Sequence, residues 1–202
     1  MIHKDIDYRP DVFVTLGSSA HAREERQPDD FYSTDPSAID KLLEAYELPN
    51  VCWECACGQG HLSKRLEEFG RKVYSTDLID RGYGEGGIDF LKMDHIPYEG
   101  CNCIITNPPY KYATEFVEHS LELLPEGGVC AMFLKTLFLE SQKRYDRIYS
   151  VNPPKYIFQF VKRIGCNKNA STRYESSAVS YAWFVWEKSA DIEDTIIRWI
   201  NH

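Results

Sequence analysis

The chain has 202 residues, a formal net charge of −8 and a hydrophobic content of 43%. That length fits one ordinary α/β domain with small additions, and the composition excludes a disordered or fibrous protein. No apolar run reaches the roughly 20 residues of a membrane-spanning helix, and the first residues lack the apolar core of a signal peptide. We therefore expect a cytoplasmic protein without a membrane partner.

The sequence contains seven cysteines, which could either form a metal site or pack in the hydrophobic core. An odd count without a secretory signal argues against a disulfide framework. Five of the cysteines cluster at 52–57 and 101–103, which keeps a zinc site open as an alternative. However, the Cys-x-Cys pairs lack the spacing typical of zinc ligands, and they lie in or beside runs that predict buried strands. We therefore favour core packing and expect no metal.

The charge is unevenly distributed along the chain. Residues 135–175 contain nine basic and three acidic residues, so this stretch carries +6 and the remainder −14. An anionic partner and an ordinary solvated surface are equally good interpretations of this asymmetry. The nine basic residues are Lys135, Lys143, Arg144, Arg147, Lys155, Lys162, Arg163, Lys168 and Arg173.

Residues 1–30 are polar with little periodicity, and we expect them to form an irregular arm before a single domain at 31–202. Helical spacing of apolar residues begins at Ile39 and ends before Pro49. Short apolar runs then predict strands at 51–55, 72–76, 103–106, 129–134, 156–161 and 179–185. Helical spacing predicts helices after Gly60, at 114–124 and at 141–150. At the end of the chain, the spacing of Ile192, Ile196, Ile197 and Ile200 predicts a short amphipathic helix.

The alternation of strands and helices predicts a doubly wound α/β fold with a mostly parallel sheet, which the last two predicted strands join as a late antiparallel pair. Ligands of such sheets bind at the carboxyl ends of strands. Three predicted strands end at glycine-rich or polar spots, namely after Cys55, Thr76 and Thr106. The sequence therefore places a binding site at this edge of the sheet.

The first two of these spots are typical of a site for a nucleoside-containing ligand. The turn Gly58-Gln59-Gly60 lets the backbone approach a ligand closely. Asp77 ends the next strand, about 20 residues further on, where a carboxylate can accept ribose hydroxyls. The third glycine of the dinucleotide fingerprint is absent, because Ser63 occupies its position.

The third spot, Asn107-Pro108-Pro109-Tyr110, resembles the catalytic motif of the S-adenosylmethionine (SAM)-dependent amino-methyltransferases that act on adenine N6, cytosine N4 or protein glutamine. The resemblance covers residues 31–185 and is nearest to compact, phage-type DNA adenine N6-methyltransferases. It implies the Rossmann-like, seven-stranded sheet of class I methyltransferases, with SAM as cofactor. It also implies that catalysis rests on Asn107, Pro108, Pro109 and Tyr110.

The same resemblance implies further site residues. The SAM-binding set is Tyr32, Ser33, Thr34, Glu54, Ala56, Cys57, Gly58, Gly60, Asp77, Asp89, Phe90 and Asn107. The implied substrate contacts are Tyr110, Lys162 and Arg163. The chain departs from the family pattern at Cys55, where proline is usual, and at Asp35, which separates Thr34 from Pro36. The second departure leaves open which of residues 33–35 touches the cofactor.

The chemistry explains why these residue types are needed. An exocyclic amine is a poor nucleophile because its lone pair is delocalised, and two acceptors directed at its N–H groups localise that pair. The Asn107 oxygen and the Pro108 carbonyl are the expected acceptors, held rigidly by the prolines. The ring of Tyr110 would stack on the target. Other aromatic candidates for stacking are Tyr112, Phe138, Phe158 and Phe160.

Adenine N6 in DNA is the leading target, with RNA adenine or protein glutamine as alternatives and a non-catalytic SAM-binding module as an alternative of another class. DNA is thus the first expected partner and RNA the second. A second copy of the tripeptide, Asn152-Pro153-Pro154, precedes its strand and lacks the aromatic residue, so we interpret it as structural. The sequence leaves the recognition sequence and the oligomeric state open.

Overall fold

The computed structural model describes residues 33–164, 166–167 and 179–202. The predicted arm at 1–30, as well as Tyr32, Lys168 and Arg173, lies outside the described residues. The strands are β1 (Ser33–Thr34), β2 (Val51–Glu54), β3 (Lys72–Asp77), β4 (Glu85–Gly86), β5 (Cys103–Thr106), β6 (Val129–Lys135), β7 (Tyr156–Phe160), β8 (Cys166–Asn167), β9 (Tyr181–Glu187) and β10 (Ile196–Ile200). The helices are α1 (Ser37–Ala45), α2 (His61–Glu68), α3 (Ala113–Leu123) and α4 (Gln142–Arg144), and α4 continues into a π-helical turn at Tyr145–Tyr149.

One large, mostly parallel sheet organises the chain, in the order β4-β3-β2-β5-β6-β9-β7-β10. Among the described strands of this sheet, only β9 runs antiparallel to its neighbours, pairing with β6 on one side and β7 on the other. This confirms the predicted α/β class and the late antiparallel pair. The strand order runs outward in opposite directions from β2 and β5, which makes the gap beyond their carboxyl ends the expected ligand crevice.

The C-terminal segment corrects the sequence prediction. Residues 196–200 form β10, which pairs in parallel with β7, so the described sheet has eight strands instead of seven. In a strand the side chains alternate between faces, and Ile200 is 8% exposed on the face toward α1, whereas Ile197 is 48% exposed on the other. Isoleucine and tryptophan are good strand formers, and pairing with the open edge of β7 overrides the helical spacing.

Two hydrophobic clusters lie on opposite faces of the sheet. One joins α1 and α2 to Cys52 of β2, and the other joins α3 to Trp53, the next residue along the strand. Neighbouring residues of a central strand are therefore both buried, as expected where helices cover both faces. The packing fixes the carboxyl ends of the strands relative to the helices that follow them. None of the helices in the described part of the chain is both long enough and apolar enough to cross a membrane.

Candidate active site

A cavity of about 800 Å³ opens beyond the carboxyl ends of β2, β3 and β5. Its volume lies in the range of small-molecule sites. Thirteen of the residues predicted from the sequence line it, which are Ser33, Thr34, Glu54, Ala56, Cys57, Gly58, Asp77, Asp89, Phe90, Asn107, Pro108, Pro109 and Tyr110. Gly60, Lys162 and Arg163 do not line the cavity.

The glycine turn between β2 and α2 forms one wall. Gly58 and Gly60 have φ angles of 56° and 76°, in the left-handed region that glycine tolerates. The N–H of Gly58 donates to Asp77 Oδ2 at 2.7 Å, and the N–H of Ile79 donates to Asp77 Oδ1 at 2.9 Å. Each carboxylate oxygen has lone pairs left for a further donor. Asp77 is thus oriented by the backbone and can accept hydroxyl groups from the cavity.

Gly60 does not line the cavity, and its role is steric. A Cβ atom built on it would lie 2.1 Å from the ring of Tyr83, which packs against the turn. The Tyr83 ring in turn lies under the Lys64 ammonium, 4.6 Å from its centroid. The second glycine of the motif therefore makes room for the loop between β3 and β4.

Glu54 forms the buried floor of the cavity, with 2% of its surface exposed. The backbone N–H of Ser63 donates to Oε2 at 2.9 Å, and the Ser63 hydroxyl donates to the same oxygen. Burial raises the pKa of Glu54 to about 8, although these two hydrogen bonds oppose the shift. A carboxyl group in this position favours a cationic ligand group beside it, because a nearby positive charge would stabilise its ionised form.

Asp89 and Phe90 also line the cavity. The Asp89 carboxylate pairs with Lys92 at 2.9 Å, and Phe90 packs edge-on against Trp53 with 5.2 Å between ring centroids. Phe90 also contacts Phe116 of α3, at 4.9 Å. These contacts hold an apolar surface that suits a flat ring. Leu78, Ile79, Arg81 and Ile88 also line this part of the site, although the sequence reasoning missed them. Their positions within four residues of Asp77, or next to Asp89, were the available signal.

Asn107 joins the two ends of the site. Its Nδ2 donates to the hydroxyl of Thr34 at 2.9 Å, across 73 residues of sequence. This bond orients the amide, so that Oδ1 is directed away from Thr34. Thr34 is held in turn by β1, whose backbone pairs with β8. The N-terminal motif is therefore in direct contact with the predicted catalytic asparagine.

Residues 33–35 differ in their position relative to the cavity. Ser33 and Thr34 line the cavity, whereas the Asp35 carboxylate accepts the N–H of Ser37 at 2.9 Å. Asp35 therefore stabilises the start of α1 and does not line the cavity.

Tyr110 begins the 3-10 turn Tyr110–Tyr112 that leads into α3. Its hydroxyl donates to the hydroxyl of Tyr181 at 2.9 Å, and Lys135 Nζ lies over its ring, 3.8 Å from the centroid. Tyr110 lines the cavity, whereas Lys135 and Tyr181 do not. The ring is thus contacted by residues at the ends of β6 and β9.

Part of the basic stretch is engaged within the protein. Arg147 pairs with Glu118 and with Glu115, the latter at 3.1 Å, and Lys155 pairs with Glu187 at 2.6 Å. The net charge of +6 over residues 135–175 therefore overstates the positive charge that is available to an anionic partner. Lys162 and Arg163 are exposed just after β7, at the edge of the sheet where the cavity opens.

Asn152-Pro153-Pro154 lies at the amino end of β7, the edge of the sheet opposite the cavity. The carbonyl of Asn152 accepts the indole N–H of Trp186 at 2.9 Å, and the carbonyl of Pro154 accepts the hydroxyl of Thr195 at 2.7 Å. These contacts agree with the structural interpretation.

The described cysteine side chains are buried and unbridged. Burial raises the pKa of Cys57 to about 12 and of Cys101 to about 11, which keeps both as thiols. Within residues 33–164 and 179–202, no group of three or more His, Cys, Asp or Glu side chains is arranged to hold a metal ion. Cys52 and Cys103 face each other in the register of β2 and β5, where both contribute to the core.

Comparison with solved structures places this architecture in a known group. A protein from Listeria monocytogenes, described as a class I SAM-dependent methyltransferase, superposes with a TM-score of 0.58 at 12% identity, over 90% of this chain and 70% of its own. The fold is that of the class I methyltransferases. Comparison of the sequence with models of protein families gives no match, and comparison with curated proteins gives none either.

Two restriction-modification proteins have the same methyltransferase fold. The type I methyltransferase subunit from Streptococcus thermophilus matches 86% of this chain with a TM-score of 0.63 at 13% identity. A type I modification subunit from Vibrio vulnificus matches 89% of it with a TM-score of 0.55, also at 13% identity. The match spans 48% and 49% of their respective lengths, so this chain corresponds to about half of each subunit.

Proposed function

We propose that the chain, as a single domain over residues 31–202, is a SAM-dependent N-methyltransferase that acts on an exocyclic amine, with adenine N6 in DNA as its first target. The observation that carries the proposal is the position of Asn107. Its side chain lies in the cavity at the carboxyl end of β5 and is hydrogen-bonded to Thr34 at 2.9 Å. The predicted catalytic and cofactor motifs therefore meet in one site.

The residues of the cavity fit SAM. Asp77 would accept the ribose hydroxyls, and Asp89 with Phe90 would hold the adenine, one by hydrogen bonding and the other by packing. Glu54 lies at the floor, where its buried carboxyl suits the positive charge of the methionine end. When bound, SAM supplies an electrophilic methyl group.

The motif would prepare the target amine for attack. The Asn107 oxygen and the Pro108 carbonyl would accept its two N–H groups, which localises the nitrogen lone pair. The ring of Tyr110 would set the plane of the target by stacking. A base in a duplex must leave the stack to reach this site, at a cost of roughly a few kcal/mol that stacking in the site would offset.

Nucleic acid is favoured over protein by exposed cations at the same edge of the sheet as the cavity. Lys162 and Arg163 follow β7 at the edge of the sheet where the cavity opens, and both are exposed. Cations in this position suit phosphate contacts, which make binding depend on salt concentration. The similarity in fold to two restriction-modification subunits agrees with DNA as the first target.

The test is methyl transfer from labelled SAM to genomic DNA of a strain without adenine methylation, which contains all short recognition sequences. We expect N6-methyladenine in the digested product. The Asn107→Ala variant should lose turnover by about 100-fold or more and still bind SAM. As a matched control, Asn152→Ala in the second tripeptide should retain turnover.

The alternatives are distinguished in the same assay. If RNA acquires the methyl label and DNA does not, RNA replaces DNA as the target. If a glutamine-containing protein acquires the label and its binding does not respond to salt, protein is the target. SAM binding without turnover on any of these substrates would leave only the non-catalytic module.

A further inference from the structure

We propose that Lys135 is a positioning residue that holds the ring of Tyr110 for stacking and makes the site selective for a neutral, planar heteroaromatic amine. This inference rests on the proposed function and deepens it. Lys135 Nζ lies 3.8 Å from the centroid of the Tyr110 ring, well within the distance of a cation–π contact. None of the motifs recognised in the sequence includes Lys135.

The surroundings of Tyr110 hold it at more than one point. Its hydroxyl donates to the hydroxyl of Tyr181 at 2.9 Å, and Tyr181 is stacked on Phe133 with 5.0 Å between centroids. Lys135 and Tyr181 are paired residues in the register of β6 and β9. A rigid antiparallel strand pair therefore carries these two partners of Tyr110, whereas Tyr110 itself lies on a short turn.

The side from which Lys135 approaches defines its role. The Lys135 ammonium covers one face of the ring, and Tyr110 lines the cavity whereas Lys135 does not, so we place a stacked target on the other face, called the inner face below. Two constraints on the ring, one at its face and one at its hydroxyl, fix the plane against which the target is set. Fixing that plane keeps the target nitrogen in line with the donor methyl, which governs the rate of the chemical step.

The charge of Lys135 also selects the target. A target ammonium stacked on the inner face would lie about 7 Å from Nζ, and two like charges on one ring repel. A neutral base has no such penalty, and a cation behind the ring withdraws π-density and favours stacking of an electron-rich heteroaromatic amine. Binding of a protonated lysine side chain is therefore disfavoured, and nucleobases are favoured over an aliphatic carboxamide.

The first test compares Lys135→Met with Lys135→Arg in methyl transfer to unmethylated genomic DNA, or to RNA if RNA is the substrate. We expect kcat of Lys135→Met to fall about 5-fold to 30-fold, the loss of one partly desolvated cation–π contact, with the Kd for SAM unchanged. Lys135→Arg keeps a cation over the ring and should stay within about 3-fold of the original protein. Lys143→Met, which removes an exposed charge from the same stretch, is the control.

A different kinetic result would overturn the proposal. If Lys135→Met raises only KM and lowers the salt dependence of binding by about one phosphate contact, Lys135 binds the nucleic-acid backbone and does not position the ring.

A second test does not depend on turnover. With 3-fluorotyrosine in place of Tyr110, the fluorine resonance should shift in Lys135→Met and stay unchanged in Lys143→Met. An unchanged resonance in Lys135→Met would refute the contact. A shift would support the held ring even if the original protein methylated none of the substrates, a result that would count against the proposed function alone.

Discussion

Replacing Thr34 with valine tests how the catalytic asparagine is held. The two side chains have nearly the same shape, so Thr34→Val removes the hydroxyl that accepts Asn107 Nδ2 at 2.9 Å and little else. Thr34 is only 3% exposed, and water cannot easily replace the lost acceptor. We expect the Asn107 amide to lose its preferred orientation and to present its NH₂ group to the target part of the time.

The magnitude follows from the hydrogen bond. Removing one partner of a buried neutral hydrogen bond costs about 1–3 kcal/mol. If most of that is lost from the transition state, kcat falls by about 10-fold to 100-fold, since each 1.4 kcal/mol corresponds to a factor of ten. The free energy of unfolding should fall by a similar 1–3 kcal/mol, and urea denaturation measures it.

The assay is single-turnover methyl transfer at saturating SAM, so that any direct contact of Thr34 with the cofactor does not enter the rate. Thr34→Ser keeps the hydroxyl and serves as the matched control, with turnover within about 3-fold of the original protein. If the valine variant transfers methyl groups as fast as the serine variant, the orientation of Asn107 does not depend on Thr34.

Three further predictions concern the cofactor end of the site. Burial raises the pKa of Glu54 from 4.5 to about 8, so the folded chain binds a proton that the unfolded chain releases. The free energy of unfolding should therefore fall as pH rises between these values, by on the order of several kcal/mol, and Glu54→Gln should remove that slope in urea titrations. Gly60→Ala should cost about 1–2 kcal/mol for its left-handed φ plus the clash with Tyr83, and thermal unfolding in a Tyr83→Ala background should retain only the first part. Asp77→Asn should weaken SAM binding about 10-fold or more in calorimetry, because one backbone donor loses its carboxylate acceptor, whereas Asp80→Asn should bind normally.

The sequence alone was enough to predict the edge of the sheet at which the cavity lies. Strand-like runs that end at Cys55, Thr76 and Thr106 are local patterns, and parallel strands bring their carboxyl ends to one edge. The residues at those ends therefore had to meet, as the cavity confirms. The glycine turn and the proline pair at the end of a strand are likewise local patterns, because each is recognised from consecutive residues of the sequence.

Tertiary structure decided whatever depends on a partner distant in the sequence. The segment at 196–200 became a strand because the edge of β7 offers backbone hydrogen bonds that helical spacing cannot reveal. The sequence alone suggests that Arg147 is a surface cation without an ion pair. In the folded chain, α3 brings Glu115 and Glu118 beside it.

The same reason applies to the site itself. Thr34 belongs to the N-terminal motif, and Lys135 belongs to no recognised motif. Only the tertiary fold brings Thr34 to Asn107 and Lys135 to Tyr110. Local sequence thus predicted most of the motif residues that line the cavity. The long-range contacts of the folded chain determined how those residues are oriented.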